Sequence, residues 1–464
     1  MNRLLLVFFI SFQLYQISCI PAEEVIDDNP TKALTFSSDT ILFDTLFTTR
    51  GSATRRLKVF NPNLNAVNID RLYLGRLDES QYKIVISGVP SYDLSDVQVL
   101  GGDSILVLID VLIDPTMDDL PFLVKDSIIL ETNHSIQDVK LVAWGQNARF
   151  LGDIIISCNS IWSPELPYVL YKSILIDSLC KLSVEAGTRI YSSPKAFIYV
   201  KGTLEVNGNS TNPVLFYQER QELKYENLPG QWGGIFFLEG SHDNVIKYAS
   251  LRNAQYGLRI GTPDNDTIPD VIISNSIIEN MTDAGVLSFT SDLYMENCLI
   301  NNCGVYMLAN LAGGSYQYVH CTFANYSQFF FRQNPSFIFS DNVELSNGEI
   351  IAGPTQIQIV NSILWGSMEE EIQFSVSNNN NLSLSTSNNI LKSSLTQFEG
   401  NNNQLSTNTG YIGFADPDNY DYRLDSLSPA VNMGADIGIE IDLPGAVRDS
   451  LPDIGAYEFI PGTQ

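Results

Sequence analysis

Between residues 30 and 148, short apolar runs alternate with turn-forming residues. The stretches "RRLKVFNP", "AVNIDRLYL", "YKIVISG", "DSILVLIDVLID", "KDSIILET" and "VKLVAWG" are rich in Val, Ile, Leu and Tyr. Gly, Pro, Asn and Asp separate them at the spacing of an immunoglobulin-like β-sandwich, so this region is expected to form one. No cysteine lies inside it, which makes the sandwich disulfide-free. Asp114-Pro115 and "MDDLP" mark loops and carry no chemistry.

From about residue 150 the pattern becomes periodic. Aligning "YASLRNAQYGL", "SNSIIENMTDAGVL", "ENCLINNCGVYML" and "VHCTFANYSQF" puts Asn253, Asn280, Asn302 and Asn325 in one column, with gaps of 27, 22 and 23. Four positions earlier the column is small: Ala249, Ser276, Cys298 and Cys321, continued at Ser362 and Asn389. A third column is wholly apolar: Leu251, Ile278, Ile300, Phe323, Leu364 and Leu391. This repeat length, with strand-like composition and no helical period, predicts a right-handed parallel β-helix over residues 150–415. Coils stack about 4.8 Å apart, so the small and apolar columns, two positions apart, both point inward. The 41 residues from Cys321 to Ser362 are read as two coils. The asparagines are expected to bond to the backbone and to one another as a structural ladder.

The columns also sort the cysteines. Cys298 and Cys321 fill the place of Ala249 and Ser276, so they read as small buried residues in adjacent coils. A zinc site from Cys298, Cys303, Cys321 and His320 fails on direction, because His320 adjoins Cys321 on a strand and faces the other way. No metal site is expected there. Cys158 and Cys180 form a separate pair at the start of the repeat, a possible disulfide that would staple the end of the solenoid. Between the inward columns lie Ser250, Ile277, Leu299, Thr322, Ile363 and Ile390, outward by alternation yet largely apolar. Either a loop such as "GTPDNDTIPD" and its neighbours cover this face, or it is a docking stripe; a cover is expected.

The first residues change the picture of where the chain works. "MNRLLLVFFISFQLYQISC" has one Arg and then an apolar run too short to span a bilayer, so residues 1–19 read as a signal peptide. The run ends at a cysteine preceded by small residues, with an acidic segment at 20–29. This resembles a bacterial lipoprotein processing site with Cys19 as the lipidated residue, although Gln16 stands where that pattern prefers Leu. Ordinary cleavage near the same place, giving a secreted protein, is the alternative. The 26 Lys+Arg against 53 Asp+Glu give a net charge of −27, a surface that repels a phosphate backbone and argues against nucleic acid.

Three further segments carry a family resemblance. "CKLSVEAGTRIYSSPKAFIYVKGTLEVNGNSTNPVLFYQ" and "GQWGGIFFLEGSHDNVIKYASLRNAQYGL" resemble the first coils of exported bacterial β-helix proteins. At the end, "NYDYRL", "SPAVNMG" and "R…PDIGAYE" appear in the order of the closing element of bacterial parallel β-helix surface proteins. Together with "RLKVFNP" and "VKLVAWGQNA" they make the chain similar to exported right-handed parallel β-helix repeat lipoproteins. The resemblance implies an all-β chain: a sandwich, a pectate-lyase-like solenoid and a C-terminal cap at 416–464. It also implies an outer-membrane or cell-surface location through the lipid on Cys19, and it defines no activity. Arg448 near Asp453 and Glu458 reads as a salt-bridged cap over the last open coil. Calcium held by Asp442, Asp453 and Glu458 is the functional alternative; otherwise no cofactor is expected.

Catalysis on such a scaffold would need opposed carboxylates, or a base beside a uronate. The outward column Arg252, Glu279, Asn301, Ala324, Trp365 and Lys392 does not converge on such a set, and His134, His242 and His320 have no partner pattern. Trp365 with Glu369, Glu370 and Glu371 is the candidate glycan contact, since a Trp face can stack on a pyranose. The expected function is a non-catalytic surface lipoprotein presenting its β-helix to a glycan or protein. The alternative is a polysaccharide lyase or glycoside hydrolase acting on acidic polysaccharide.

Overall fold

The runs of alternating burial in the N-terminal region pair into two five-stranded sheets. The computed structural model describes residues 25–27, 31–117, 119–132, 135–261, 268–326, 329–377, 381–407 and 412–462. The signal segment, Cys19, most of the acidic tether and His134 lie outside them. The chain divides into two units, residues 1–147 and 148–464.

In the first unit one sheet runs Thr35–Phe36, Arg55–Phe60, Ser104–Val111, Tyr82–Ile86, Val89–Ser91. The other runs Thr40–Phe47, Ser135–Gln146, Phe122–Thr132, Val67–Leu74, Asp93–Val99. Neighbours are antiparallel except Ser135–Gln146 beside Thr40–Phe47. All six runs picked out by composition are strands, and each turns alternate residues inward. Leu57, Val59, Ile69, Leu72, Ile84, Val107, Ile109, Ile128, Leu130, Val139 and Leu141 form a shared core between the sheets, as a sandwich requires.

The second unit is a parallel β-helix. Its coils have three faces, exemplified by Ala249–Arg252, Tyr256–Ile260 and Val271–Ser274. Face one is an 11-stranded parallel sheet from Arg149–Leu151 to Gln404–Leu405. Faces two and three join into one sheet because Ala284–Glu296 and Tyr306–Val319 run through the corner between them, with a register shift between Phe289 and Ser291. The inward columns hold: Leu251 pairs with Ile278, Ile278 with Ile300, Ile300 with Phe323, Phe323 with Leu364, and Leu364 with Leu391.

Thr322 pairs directly with Ile363, so residues 321–362 form one coil and not two. The extra length is a loop after Asn325 and a hairpin of Asn342–Glu344 with Ile350–Ala352. A solenoid tolerates such insertions because they leave the stacked strands unchanged.

The closing element also lies elsewhere than expected. It does not cap the last open coil but runs along face one. Leu299, Ala324, Ile363, Trp365 and Ile390 form one apolar cluster with Ile412, Phe414, Tyr422, Leu424, Ala430, Leu443, Ile454 and Ala456. The apolar outward stripe is therefore covered by residues 412–459, which account for its composition without the "GTPDNDTIPD" loop.

Candidate functional site

Five successive turns into face one use a left-handed residue. Asn275, Asn297, His320, Asn361 and Asn388 fill this corner with φ of 48°, 49°, 47°, 51° and 53°. Asparagine tolerates that region best among residues with a side chain. The same side chains hold the closing element. Asn275 Nδ2 donates to the Asp442 carbonyl at 2.7 Å, Asn297 Nδ2 to Ile441 at 2.8 Å, and Asn388 Nδ2 to Met433 at 3.1 Å. Asn361 donates to the Ala435 carbonyl at 2.8 Å and accepts from its amide at 2.9 Å. His320 Nε2 lies 2.8 Å from Asn361 Nδ2 and accepts from it, and burial pushes the imidazole down to about 3.

The second corner, after face one, carries the asparagine column. Asn253, Asn280 and Asn302 are left-handed at φ 59°, 60° and 53°, following the registered pairs Arg252–Glu279 and Glu279–Asn301. Asn325 follows Ala324, which pairs with Asn301. The column stacks and bonds to the backbone as expected, but no bond between one column asparagine and the next occurs among the described residues. Asn253 Nδ2 donates to Gln218 Oε1 at 2.9 Å and the Glu226 carbonyl at 2.6 Å. Asn302 Nδ2 donates to Asn301 Oδ1 at 3.0 Å, and Asn325 bridges the amide and carbonyl of Cys303 at 3.2 and 3.0 Å. The left-handed backbones of Asn253 and Asn302 turn their amides toward the bends.

The acidic cluster read as a glycan contact is structural in its main members. Trp365 is 3% exposed, covered by the closing element, with Lys392 Nζ 4.5 Å from its ring, so no sugar reaches its face. Glu371 is fully buried and takes both Arg332 Nη atoms, at 2.6 and 2.8 Å, plus the amides of Ser336 and Met368 at 3.0 and 2.8 Å. Glu370 accepts from the Ser394 amide and hydroxyl at 2.8 and 3.0 Å. Only Glu369 is exposed. The fold makes this acidic turn an anchored corner.

The closing element treats its own acids similarly. Arg448 Nη1 meets Glu458 at 3.2 Å, and its Nη2 donates to Asn297 Oδ1 and the Gly455 carbonyl, both at 2.9 Å. Asp442 accepts the amides of Ala446 and Glu458 at 2.6 and 3.0 Å. Asp453 accepts those of Asn432 and Phe459, both at 2.6 Å. Carboxylates aimed at amide hydrogens are poor cation ligands, and no metal-binding group of three occurs among the described residues. Burial raises Asp442 and pushes Asp453 up to about 6.

Cys298, Cys303 and Cys321 are free and buried; burial raises Cys298 and pushes Cys303 up to about 12, so those two thiols are unreactive. Cys158 and Cys180 are joined by a disulfide with Cα atoms 4.4 Å apart.

One concavity gathers groups suited to a small polar ligand. Asn227, Asn302, Tyr326, Phe329, Pro417, Asp418, Asn419 and Tyr420 line a pocket of about 240 Å³ where the second corner meets the closing element. Tyr326 stacks on Tyr422 with centroids 6.4 Å apart, which fixes its ring. Phe329 remains 50% exposed. Tyr420 holds its position through a left-handed backbone, φ 65°, just before Asp421–Leu424. Next along the asparagine column, Asn280 is 1% exposed and its side-chain amide interacts with the Tyr420 hydroxyl. Of the pocket residues, only Asn302 stood out in the repeat. The rest come from two loops between strands, one carrying Asn227 and one carrying Tyr326 and Phe329, and from residues 417–420, which no local pattern brings together.

Residues 152–325 match the family described as a right handed beta helix region. No curated protein matches the chain in sequence. Among solved structures, a family 123 glycoside hydrolase from Clostridium perfringens overlaps 28% of this chain at 9% identity and a TM-score of 0.19. The chain spans only 30% of that enzyme's length. The PapD-like domain 7 of human CEP192 overlaps 28% of this chain and 94% of its own, at 12% identity and a TM-score of 0.18. Overlaps this low say nothing of activity.

Proposed function

We propose that this chain is an exported surface lipoprotein, tethered through Cys19 at the outer membrane, whose β-helix binds glycan without cleaving it. The observation that carries the binding is the pocket of Asn227, Asn302, Tyr326, Phe329, Asp418, Asn419 and Tyr420. Aromatic faces take the C–H side of a pyranose, while amides and a carboxylate take its hydroxyls. Its volume suits one or two sugar units, so the reading is recognition of a chain end or branch. The acids singled out in the sequence support a non-catalytic role. Glu371 is committed to Arg332, Glu370 to Ser394, and Asp442 and Asp453 to backbone amides.

A glycan array on the purified protein tests the reading. Binding should fall at least tenfold in Phe329→Ala and Tyr420→Ala, with unfolding midpoints close to the parent's. Retained binding in both variants would move the site elsewhere. Unsaturated products from uronic-acid polymers would overturn the non-catalytic reading.

A further inference from the structure

The placement of the closing element on face one leaves the C-terminal end of the solenoid lightly covered. Residues 396–405 form a short plug: Phe398 is buried and Asn403 Nδ2 donates to Thr386 Oγ1 at 2.9 Å. The core of the final coil is nevertheless unfinished. Leu384 pairs with Ile357, which is 2% exposed, and Phe374 pairs with Phe339, which is fully buried. Leu384, Phe374, Leu382 and Leu405 themselves remain only partly buried. On face three, Leu382–Ser387 pairs with Thr355–Val360 on one side and with no strand among the described residues on the other.

An open edge of this kind recruits strands unless charge, proline or a bulge blunts it. Among the described residues no charge or proline blunts this one. Residues 372–391, a run of 20, contain no charged side chain and no proline, in a chain that is 17% charged. The neutral stretch coincides with the edge and half-buried core of the last coil. That coincidence identifies the occupant. With a net charge of −27, two copies repel each other across most approaches, and a contact centred on this uncharged end avoids close like-charge pairs.

We propose that Leu382–Ser387 is a docking edge for a second copy of this chain, the two strands pairing antiparallel about a two-fold axis through Leu384. The register follows from keeping inward residues together. Leu384 faces its symmetry mate, Leu382 faces Thr386, and the exposed Ser383 faces Ser385. The pairing satisfies the free backbone groups and covers the half-exposed leucines. It is smaller than a standard interface, so the dimer is reversible.

Sedimentation of the full exported chain over a concentration series reads this directly. The parent should move from monomer toward dimer with concentration, and its Leu382–Ser387 amides should exchange more slowly in the dimer. Ser383→Asp with Ser385→Asp opposes like charges at both cross-strand pairs and should abolish the dimer. Both serines are exposed, so the unfolding midpoint should stay unchanged. Ser383→Lys with Ser385→Asp opposes unlike charges in the same register and should restore it. A parent that stays monomeric to its solubility limit overturns the proposal. So does a dimer that survives the double aspartate, including one formed through another surface.

Discussion

His320 sits in a column where four other coils use asparagine, and its burial makes it the clearest source of pH dependence in the solenoid. Its folded-state pKa lies near 3, below the unfolded value of about 6.5. Neutral His320 therefore stabilises the fold above about pH 6.5, and this contribution is lost as pH falls toward 3, because the unfolded chain binds a proton the folded chain refuses. The full difference is on the order of 5 kcal/mol. Asp453, held up near 6, has the opposite sign, gaining stability as pH falls through 6. His320→Asn suits the left-handed corner and isolates the first effect. Unfolding between pH 7 and 3.5 should show the variant losing less stability than the parent, whereas parallel curves would mean the imidazole titrates normally.

Among elements, the closing segment has the least expected behaviour. It behaves as a lateral cover clipped to the solenoid by one column of corner side chains and one apolar cluster. Gly455 is a tight contact between it and the solenoid: φ is 104°, and an added Cβ would lie 2.6 Å from Thr322 Oγ1 and 3.0 Å from Ile363. The neighbouring Ala456 amide donates to that same hydroxyl at 2.9 Å. Gly455→Ala should therefore loosen the cover while leaving the coils intact. Limited proteolysis should cut residues 412–459 at least tenfold faster, with Trp365 fluorescence shifting to the red as its shield opens. Unchanged cleavage would show that the cover is held without this contact.

For the whole molecule, stability is spread along a stack in which each coil rests on its neighbours. The Cys158–Cys180 bridge closes a 22-residue interval in the first coils, where a coil has support on one side only. Removing it with Cys158→Ser and Cys180→Ser should cost about 3 kcal/mol by the loop-entropy estimate. Hydrogen exchange should report faster opening confined to about residues 149–185, and protection loss spreading evenly over every coil would contradict a locally acting staple.

The fold was legible in the sequence because a solenoid repeats its physics. Successive coils repeat an inward Leu251-type position and a small Ser276-type position, and four of them add an Asn at the bend, so periodicity alone exposes them. The asparagine column and its bonds to the backbone were found correctly, but the side-chain partner of Asn253, Gln218, was not, because composition does not show which way an amide is aimed. Trp365 and Glu371 looked like surface chemistry for a related reason: alternation says which residues leave the barrel, not what later settles on top of them. The pocket around Asn302 and Tyr420 and the bare edge at Leu382–Ser387 both depend on where residues 412–459 come to rest. What the sequence by itself determined was the strand period, the sandwich-then-solenoid order and the inward columns. Only the tertiary structure decided which outward faces remain free, since that depends on contacts between segments far apart in the chain.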